Sequence, residues 1–304
     1  MTPPRIVLLG GSGQLGHALQ RSLAPLGEII APSRQQCDLY NPAAVQQLML
    51  ERRPDIIVNA AAHTAVDEAE HHPALAMQLN AALPALLAEI ARGLGAWLVH
   101  FSSDYVYDGD LERPYRESDP ARPLNTYGRS KLAGDEAVAT WPQHLIIRTG
   151  WVFHRHGANF VRTILRRAQQ QTRLQVVNDQ FGAPNSADFL ANCTAHLITA
   201  LRRGVDGPGL YHVATQGRAS WYDVACQVLH EAERLSVPLR CPASQVRAIS
   251  SQVLGRLANR PASCVLDTSQ VSQRFGLYMP PWQHGVGQVV HDLVQAQAHS
   301  TSTL

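Results

Sequence analysis

The chain has 304 residues, 45% of them hydrophobic, enough to bury the core of one large α/β unit with a smaller appended lobe. Its 26 basic and 24 acidic side chains leave a formal charge of +2, so no broad field draws it to nucleic acid or a membrane. Five scattered cysteines without a C-x-x-C pair fit a reducing compartment.

Residues 1–5 lead into an apolar segment without a charged-then-apolar leader, and no apolar run approaches the roughly twenty residues that span a bilayer; a soluble, cytoplasmic protein is expected. Short β-branched runs at 6–9, 28–31, 56–59, 97–101 and 145–148 alternate with helix-like stretches at 43–53, 73–94 and 130–140. Apolar strands separated by helices predict a doubly wound parallel sheet over residues 1–150. The densest basic cluster, 162–167, reads as a solvated helix face. Beyond Thr149 the pattern loosens. Strands recur at 174–177 and 210–213, and irregular stretches at 238–243 and 259–263 suggest that 151–304 form mainly a substrate-binding lobe, interleaved with the first unit, to which segments near 174–215 return. Residues 296–304 are expected to fray.

Gly10, Gly13 and Gly16 follow the first strand at a G-x-x-G-x-x-G spacing and open a helix near Gln14. Such a turn lets the backbone approach a pyrophosphate whose charge the helix N-terminus then meets, so Gly10, Gly11, Ser12, Gly13, Gln14 and Leu15 mark a Rossmann-type dinucleotide site. An NAD-selective site places an acid at the end of the second strand. Here stand Ser33 and Arg34, which favour NADPH through the 2′-phosphate and leave NADH possible; the alternative is an Arg facing solvent. Asp38 either holds the adenine edge or caps the next helix, and Leu39 covers the adenine face. After the third strand Ala61, Ala62, His63 and Thr64 offer small residues past which the cofactor lies; without a second ligand at metal spacing, His63 reads as a polar contact.

Ser102, Ser103 and Asp104 follow the fourth strand, at the carboxyl end where open α/β sheets bind ligands. Tyr127 and Lys131, four residues apart on a helix, share a face, so an ammonium sits beside a phenol. Lowering a phenol by three pH units from about 10 takes about 4 kcal/mol, which Lys131 and a positively charged nicotinamide supply together. Ser103 hydrogen-bonds the substrate oxygen and Tyr127, Ser102 lies toward the cofactor, and Lys131 also holds the nicotinamide ribose. Serine-hydrolase chemistry is the competing reading, but no G-x-S-x-G elbow surrounds the serines.

Residues 10–16 and 59–64, the set Ser103, Tyr127 and Lys131, and the run 114–123 resemble the extended short-chain dehydrogenases/reductases over nearly the whole chain. The runs 55–67, 150–152, 178–184 and 209–212 are similar to the nucleotide-sugar reductases of that family. The resemblance implies hydride transfer to C4 of dTDP-4-dehydro-L-rhamnose with Tyr127 protonating the alkoxide. It further implies that Ser103 and Asp104 contact the sugar, that Trp151 forms an apolar platform rather than plain core, and that Arg260 takes the diphosphate rather than lying idle at the surface. Ser103 stands where the family commonly has Thr and keeps the hydroxyl. Some members dimerise through magnesium held by glutamates; the corresponding positions here are Ala18, Asp188 and Asp292, so no metal is expected, and monomer or homodimer stays open. A catalytically silent nucleotide-binding subunit and a nucleotide-sugar epimerase or dehydratase remain as alternatives.

Overall fold

Apolar residues at successive positions of one strand point to opposite faces of a sheet, and the first strand, β1 (Arg5–Leu9), uses both. Ile6 and Leu8 enter one core while Val7 and Leu9 enter another, so helices must cover both faces. The computed structural model describes residues 3–205 and 207–301, with side chains through Ala296. In it β1 is followed by α1 (Gln14–Leu23), β2 (Glu28–Ile30), α2 (Pro42–Arg52), β3 (Ile56–Asn59), α3 (Val66–His71), α4 (Pro73–Met77) and α5 (Leu83–Leu94). Then come β4 (Trp97–Ser103), α6 (Thr126–Ala139) and β5 (His144–Thr149). With β10 (Gly209–His212) these strands form one parallel sheet in the order β10-β5-β4-β3-β1-β2, the doubly wound arrangement expected. The order in which strands are added reverses between β1 and β3, and a ligand crevice belongs at their carboxyl ends.

The second lobe contains β6 (Val152–Phe153), α7 (Phe160–Gln170), β7 (Leu174–Val177), β8 (Phe181–Gly182) and β9 (Asn185–Ser186). After α8 (Ala187–Arg202), which packs on α1, and β10, it resumes with β11 (Ala219–Ser220), α9 (Trp221–Arg234) and β12 (Val246–Ile249). Then α10 (Ser269–Phe275) lies against β10, and α11 (Trp282–Thr301) closes the chain on α9. Its own core joins Val161, Ile164 and Leu165 of α7 to Val224, Val228 and Leu229 of α9 and Val286 and Val290 of α11. Residues 174–177 do not return to the large sheet: β7 pairs with β12, because Leu174 and Val176 face this second core. Residues 296–301 continue α11 instead of fraying, and 302–304 lie outside the described residues.

One expectation needs correction. Residues 73–94 are long and apolar enough, by length and composition, to cross a membrane. Gln78, Asn80, Glu89 and Arg92 interrupt the run of apolar letters without lowering its average enough, and a buried stripe of Leu83, Leu87, Ala88 and Ala91 packs this helix onto the sheet core. Between α4 and α5 the helix widens to a π turn, Gln78–Ala82. Pro84 has no N–H for the Asn80 carbonyl four residues earlier, and a wider turn relieves that conflict. A Cβ on Gly134 of α6 would stand 2.2 Å from that carbonyl, so glycine lets α6 lie against the turn.

Candidate active site

At the carboxyl end of β1, Gly10 takes φ +79, and a Cβ there would meet the Ala61 nitrogen at 2.7 Å. Glycine therefore lets the turn after β1 pass directly under the turn after β3. Gly13 N–H donates to the Gly10 carbonyl at 3.0 Å and precedes α1 without a side-chain cap, so the first-turn amides of α1 suit an anion. Gly10, Gly11, Ser12, Arg34, Asp38 and Leu39 line one crevice, whose opposite wall is Ala62, His63 and Thr64. Asn80 holds that wall, accepting from His63 N–H at 2.8 Å and donating to its carbonyl at 3.0 Å. His63 Nδ1 is buried without a protein partner, as a side chain waiting for a polar ligand would be. The donor set, the glycine cradle and this unpartnered nitrogen fit a dinucleotide.

Four of the expected cofactor residues turn their side chains elsewhere. Leu15 packs against the sheet core, and Ala61 is buried, its N–H given to Asn59 Oδ1 at 3.2 Å. Ser33 folds on its own turn, its N–H donating to Gln36 Oε1 at 2.8 Å. Gln14 faces the neighbouring cavity, where its Oε1 accepts from Asn159 Nδ2 at 3.0 Å.

That cavity shares Thr64 with the crevice and brings together Ser102, Ser103, Asp104, Tyr127 and Trp151. The helix bearing Tyr127 starts at Thr126, where Asn125 Oδ1 accepts from Gly128 N–H at 2.8 Å and Glu70 accepts from both Thr126 N–H and its hydroxyl, at 2.7 and 2.8 Å. A Cβ on Gly128 would stand 2.2 Å from the Tyr105 carbonyl, so α6 rests directly on the turn that carries Asp104. Ser103 Oγ donates to Asp104 Oδ1 and accepts from Tyr105 N–H, both at 3.1 Å.

Burial pushes the Tyr127 phenol up to about 12, against the pull of Ser103. Lys131 does not offset this: its Nζ donates to the Phe101 carbonyl at 2.7 Å, and burial pushes its own ammonium down to about 8. The lowered phenol expected from the Tyr-Lys spacing is thus not a property of the protein alone. Asp104 is pushed up to about 7 by burial, and a Cβ on Gly150 would stand only 2.0 Å from its Oδ2.

Trp151 adopts φ +49 and stacks flat on Trp221 of α9, ring centroids 3.5 Å apart at 2°. Both indoles line the cavity, and a Cβ on Gly182 would come within 2.7 Å of Trp151. Arg260 lies outside this cavity, lining a separate cleft, and its guanidinium is held by Asp67 in a bidentate pair at 3.1 and 2.8 Å. Among the positions weighed as metal ligands, Ala18 is buried, Asp188 faces His154 at 3.5 Å and Asp292 faces Arg155 at 3.6 Å. Sequence reasoning missed Asn80, Trp221 and Asn125. Asn80 carried one readable signal, a polar residue four before a proline inside an apolar helix.

Residues 4–295 match the family model described as the RmlD substrate binding domain. A curated relative from Escherichia coli strain K12, named dTDP-4-dehydrorhamnose reductase, is 43% identical over 298 residues, covering 96% of this chain and 99% of its own. A solved dTDP-4-dehydrorhamnose reductase from Bacillus anthracis, in complex with NADP, is 31% identical with a TM-score of 0.86, over 96% of this chain and 100% of that one. A Thermus thermophilus UDP-glucose 4-epimerase in complex with NAD, 20% identical with a TM-score of 0.79 over 95% and 98%, shares the fold.

Proposed function

Because the chain belongs to the RmlD substrate binding domain family and is an NAD(P)H-dependent oxidoreductase of the dTDP-4-dehydrorhamnose reductase type, we propose that it reduces dTDP-4-dehydro-L-rhamnose to dTDP-L-rhamnose with NADPH in the cytosol. The observation that carries the reading is the convergence of Ser103, Asp104 and Tyr127 on a cavity that shares Thr64 with the dinucleotide crevice. Gly10–Ser12 and Ala62–Thr64 would hold NADPH, which would supply the hydride.

When the substrate binds, Ser103 turns its one hydroxyl proton from Asp104 to the keto oxygen at C4 and, with Tyr127, fixes which face of the carbonyl is presented. Tyr127 gives its proton to that oxygen as negative charge develops on it; a phenol pushed upward by burial stays protonated until the chemistry calls for the proton. The Trp151–Trp221 wall packs against the apolar face and methyl group of the deoxysugar and excludes water. Asp104 hydrogen-bonds a sugar hydroxyl.

Supplying the keto sugar nucleotide with NADPH and following both cofactor absorbance and product identity tests the reading. Stoichiometric NADPH oxidation with formation of dTDP-L-rhamnose is expected. Isomerisation or dehydration without net oxidation would make the protein an epimerase or dehydratase, and binding without turnover a silent subunit.

A further inference from the structure

Behind Lys131 the polar side chains continue into the core. His100 on β4 and Asn59 on β3 are both fully buried, and Asp135 on α6 and Arg148 on β5 are nearly so. Such groups are costly unless each is paired, so their hydrogen-bond directions are constrained. Asn59 Oδ1 accepts from Ala61 N–H at 3.2 Å, which leaves its amide NH2 facing His100 Nδ1 at 3.2 Å. His100 Nδ1 must therefore accept, and the proton of the neutral ring sits on Nε2. That nitrogen lies 3.4 Å from Lys131 Nζ and 3.9 Å from Asp135 Oδ1. A second proton on the ring would point Nδ1–H into the Asn59 NH2 group, so the ring is locked neutral. Burial and the Lys131 charge act in the same sense, holding His100 well below the usual imidazole range.

An N–H, not a lone pair, thus faces the lysine from the protein interior. The ammonium has nothing to donate to on that side, and its protons go to the Phe101 carbonyl at 2.7 Å and outward. The neutral amine, by contrast, accepts from Nε2–H. The charged groups facing the ring are Lys131 and Asp135 from α6, with Arg148 behind Asp135 at 3.0 Å.

We propose that His100, fixed in its Nε2–H tautomer by Asn59, is a positioning residue for Lys131, turning the ammonium away from the core and toward the cofactor ribose and Tyr127. The proposal rests on the reductase reading for Lys131's role, and extends it to two residues that touch neither substrate nor cofactor.

The tautomer is read directly from spectra of protein labelled with 15N-histidine, with the His100 signal identified by its loss in His100→Gln. A protonated Nε2 and bare Nδ1, unchanged from pH 5.5 to 9, are expected; a protonated Nδ1, or a ring that titrates in that range, overturns the proposal. His100→Ala should weaken NADPH about tenfold, because the Nε2–H dipole no longer turns the ammonium outward. It should also move the alkaline limb of the kcat profile to higher pH, since the contact favouring the amine is gone. His100→Gln, whose amide can place an N–H near the lost Nε2, should recover most of both. Equal loss in the two variants would mean that the ring merely fills space, and would also overturn the proposal.

Asn59→Asp supplies a variant that keeps the ring. Its carboxylate accepts from Nδ1–H, converts Nε2 into an acceptor that draws the ammonium inward, and should weaken NADPH by a similar factor; unchanged affinity counts against the proposal. A wild-type protein that binds NADPH but leaves the keto sugar unreduced would sink the proposed substrate, while the spectra and the NADPH affinities would still decide the placement of Lys131.

Discussion

Asp104 is the position where function and stability should pull apart most measurably. Its carboxyl is buried against Gly150 and moved from 3.8 to about 7, chiefly by desolvation. The folded state therefore holds a proton that the unfolded chain has released, and the stability associated with that proton is fully present below pH 3.8 and lost as pH rises to about 7. Taken at face value the loss is about 4 kcal/mol, at 1.36 kcal/mol per pH unit. The cavity admits solvent beside the carboxyl, so about 2 kcal/mol is the better expectation. Asp104→Asn replaces the group with a neutral one of nearly the same shape that still accepts from Ser103. Urea unfolding should give variant and wild type nearly equal stability at pH 4 and place the variant about 2 kcal/mol ahead at pH 8. Turnover should fall about tenfold through the weakened sugar contact. A variant less stable than wild type by the same amount at both pH values would refute the argument, because the cost would then be packing and not a buried charge.

Tyr127→Phe should lower kcat by about 10²–10⁴ while leaving NADPH affinity nearly unchanged, since it removes the proton donor and keeps the ring; stopped-flow turnover with cofactor fluorescence separates the two, and equal activity would dismiss the acid role. Arg34→Ala should erase a preference for NADPH of roughly tenfold to a hundredfold, the worth of a charge-assisted pair with the 2′-phosphate, leaving NADH kcat/KM unaltered. A wild type that favours NADH would contradict this outright. Trp221→Ala removes a stacked partner worth about 0.5–1.5 kcal/mol and releases Trp151 from its left-handed backbone, so KM for the sugar nucleotide should rise about tenfold with little change in KM for NADPH; a rise in both would place the wall elsewhere.

The alternation of apolar strands with helices was enough to read the parallel sheet, because burial on both faces writes itself into consecutive apolar residues such as Ile6–Leu9. The glycine turn and the placement of Tyr127 and Lys131 on one helix were legible for a related reason: each is a local pattern. What escaped depends on contacts across long stretches of chain. Nothing near Trp221 says that it lies flat on Trp151, seventy positions earlier. Arg260 reads as an available guanidinium until Asp67, 193 residues away, is seen to occupy it. β7 has the composition of a core strand and is one, but the core belongs to α7, α9 and α11. The environment of the phenol is set by energetics that spacing does not carry. Spacing puts Lys131 on the right helix face, whereas only the fold shows that burial outweighs it.

Burial is also what makes the site coherent. Lys131, Asp135 and Arg148 occupy a nearly dry column between β4, β5 and α6, and Arg148 NH1 continues it to the Tyr107 hydroxyl at 2.8 Å, which meets His212 Nε2 at 2.8 Å. Removing one member of such a set leaves an unpaired buried charge at a cost of about 3–5 kcal/mol, far more than an intact exposed pair contributes. That asymmetry opposes any shift of α6 against the sheet, since sliding the helix would break several pairings together. The helix that bears Tyr127 is therefore pinned from behind by charge and from its N-terminus by Glu70 and Asn125, while Asn125 Nδ2 donates to the Asn259 carbonyl of the second lobe at 2.8 Å. Asn125 thus ties the start of the helix that bears Tyr127 to the second lobe, so a change at position 125 would loosen both the helix cap and the contact between the lobes.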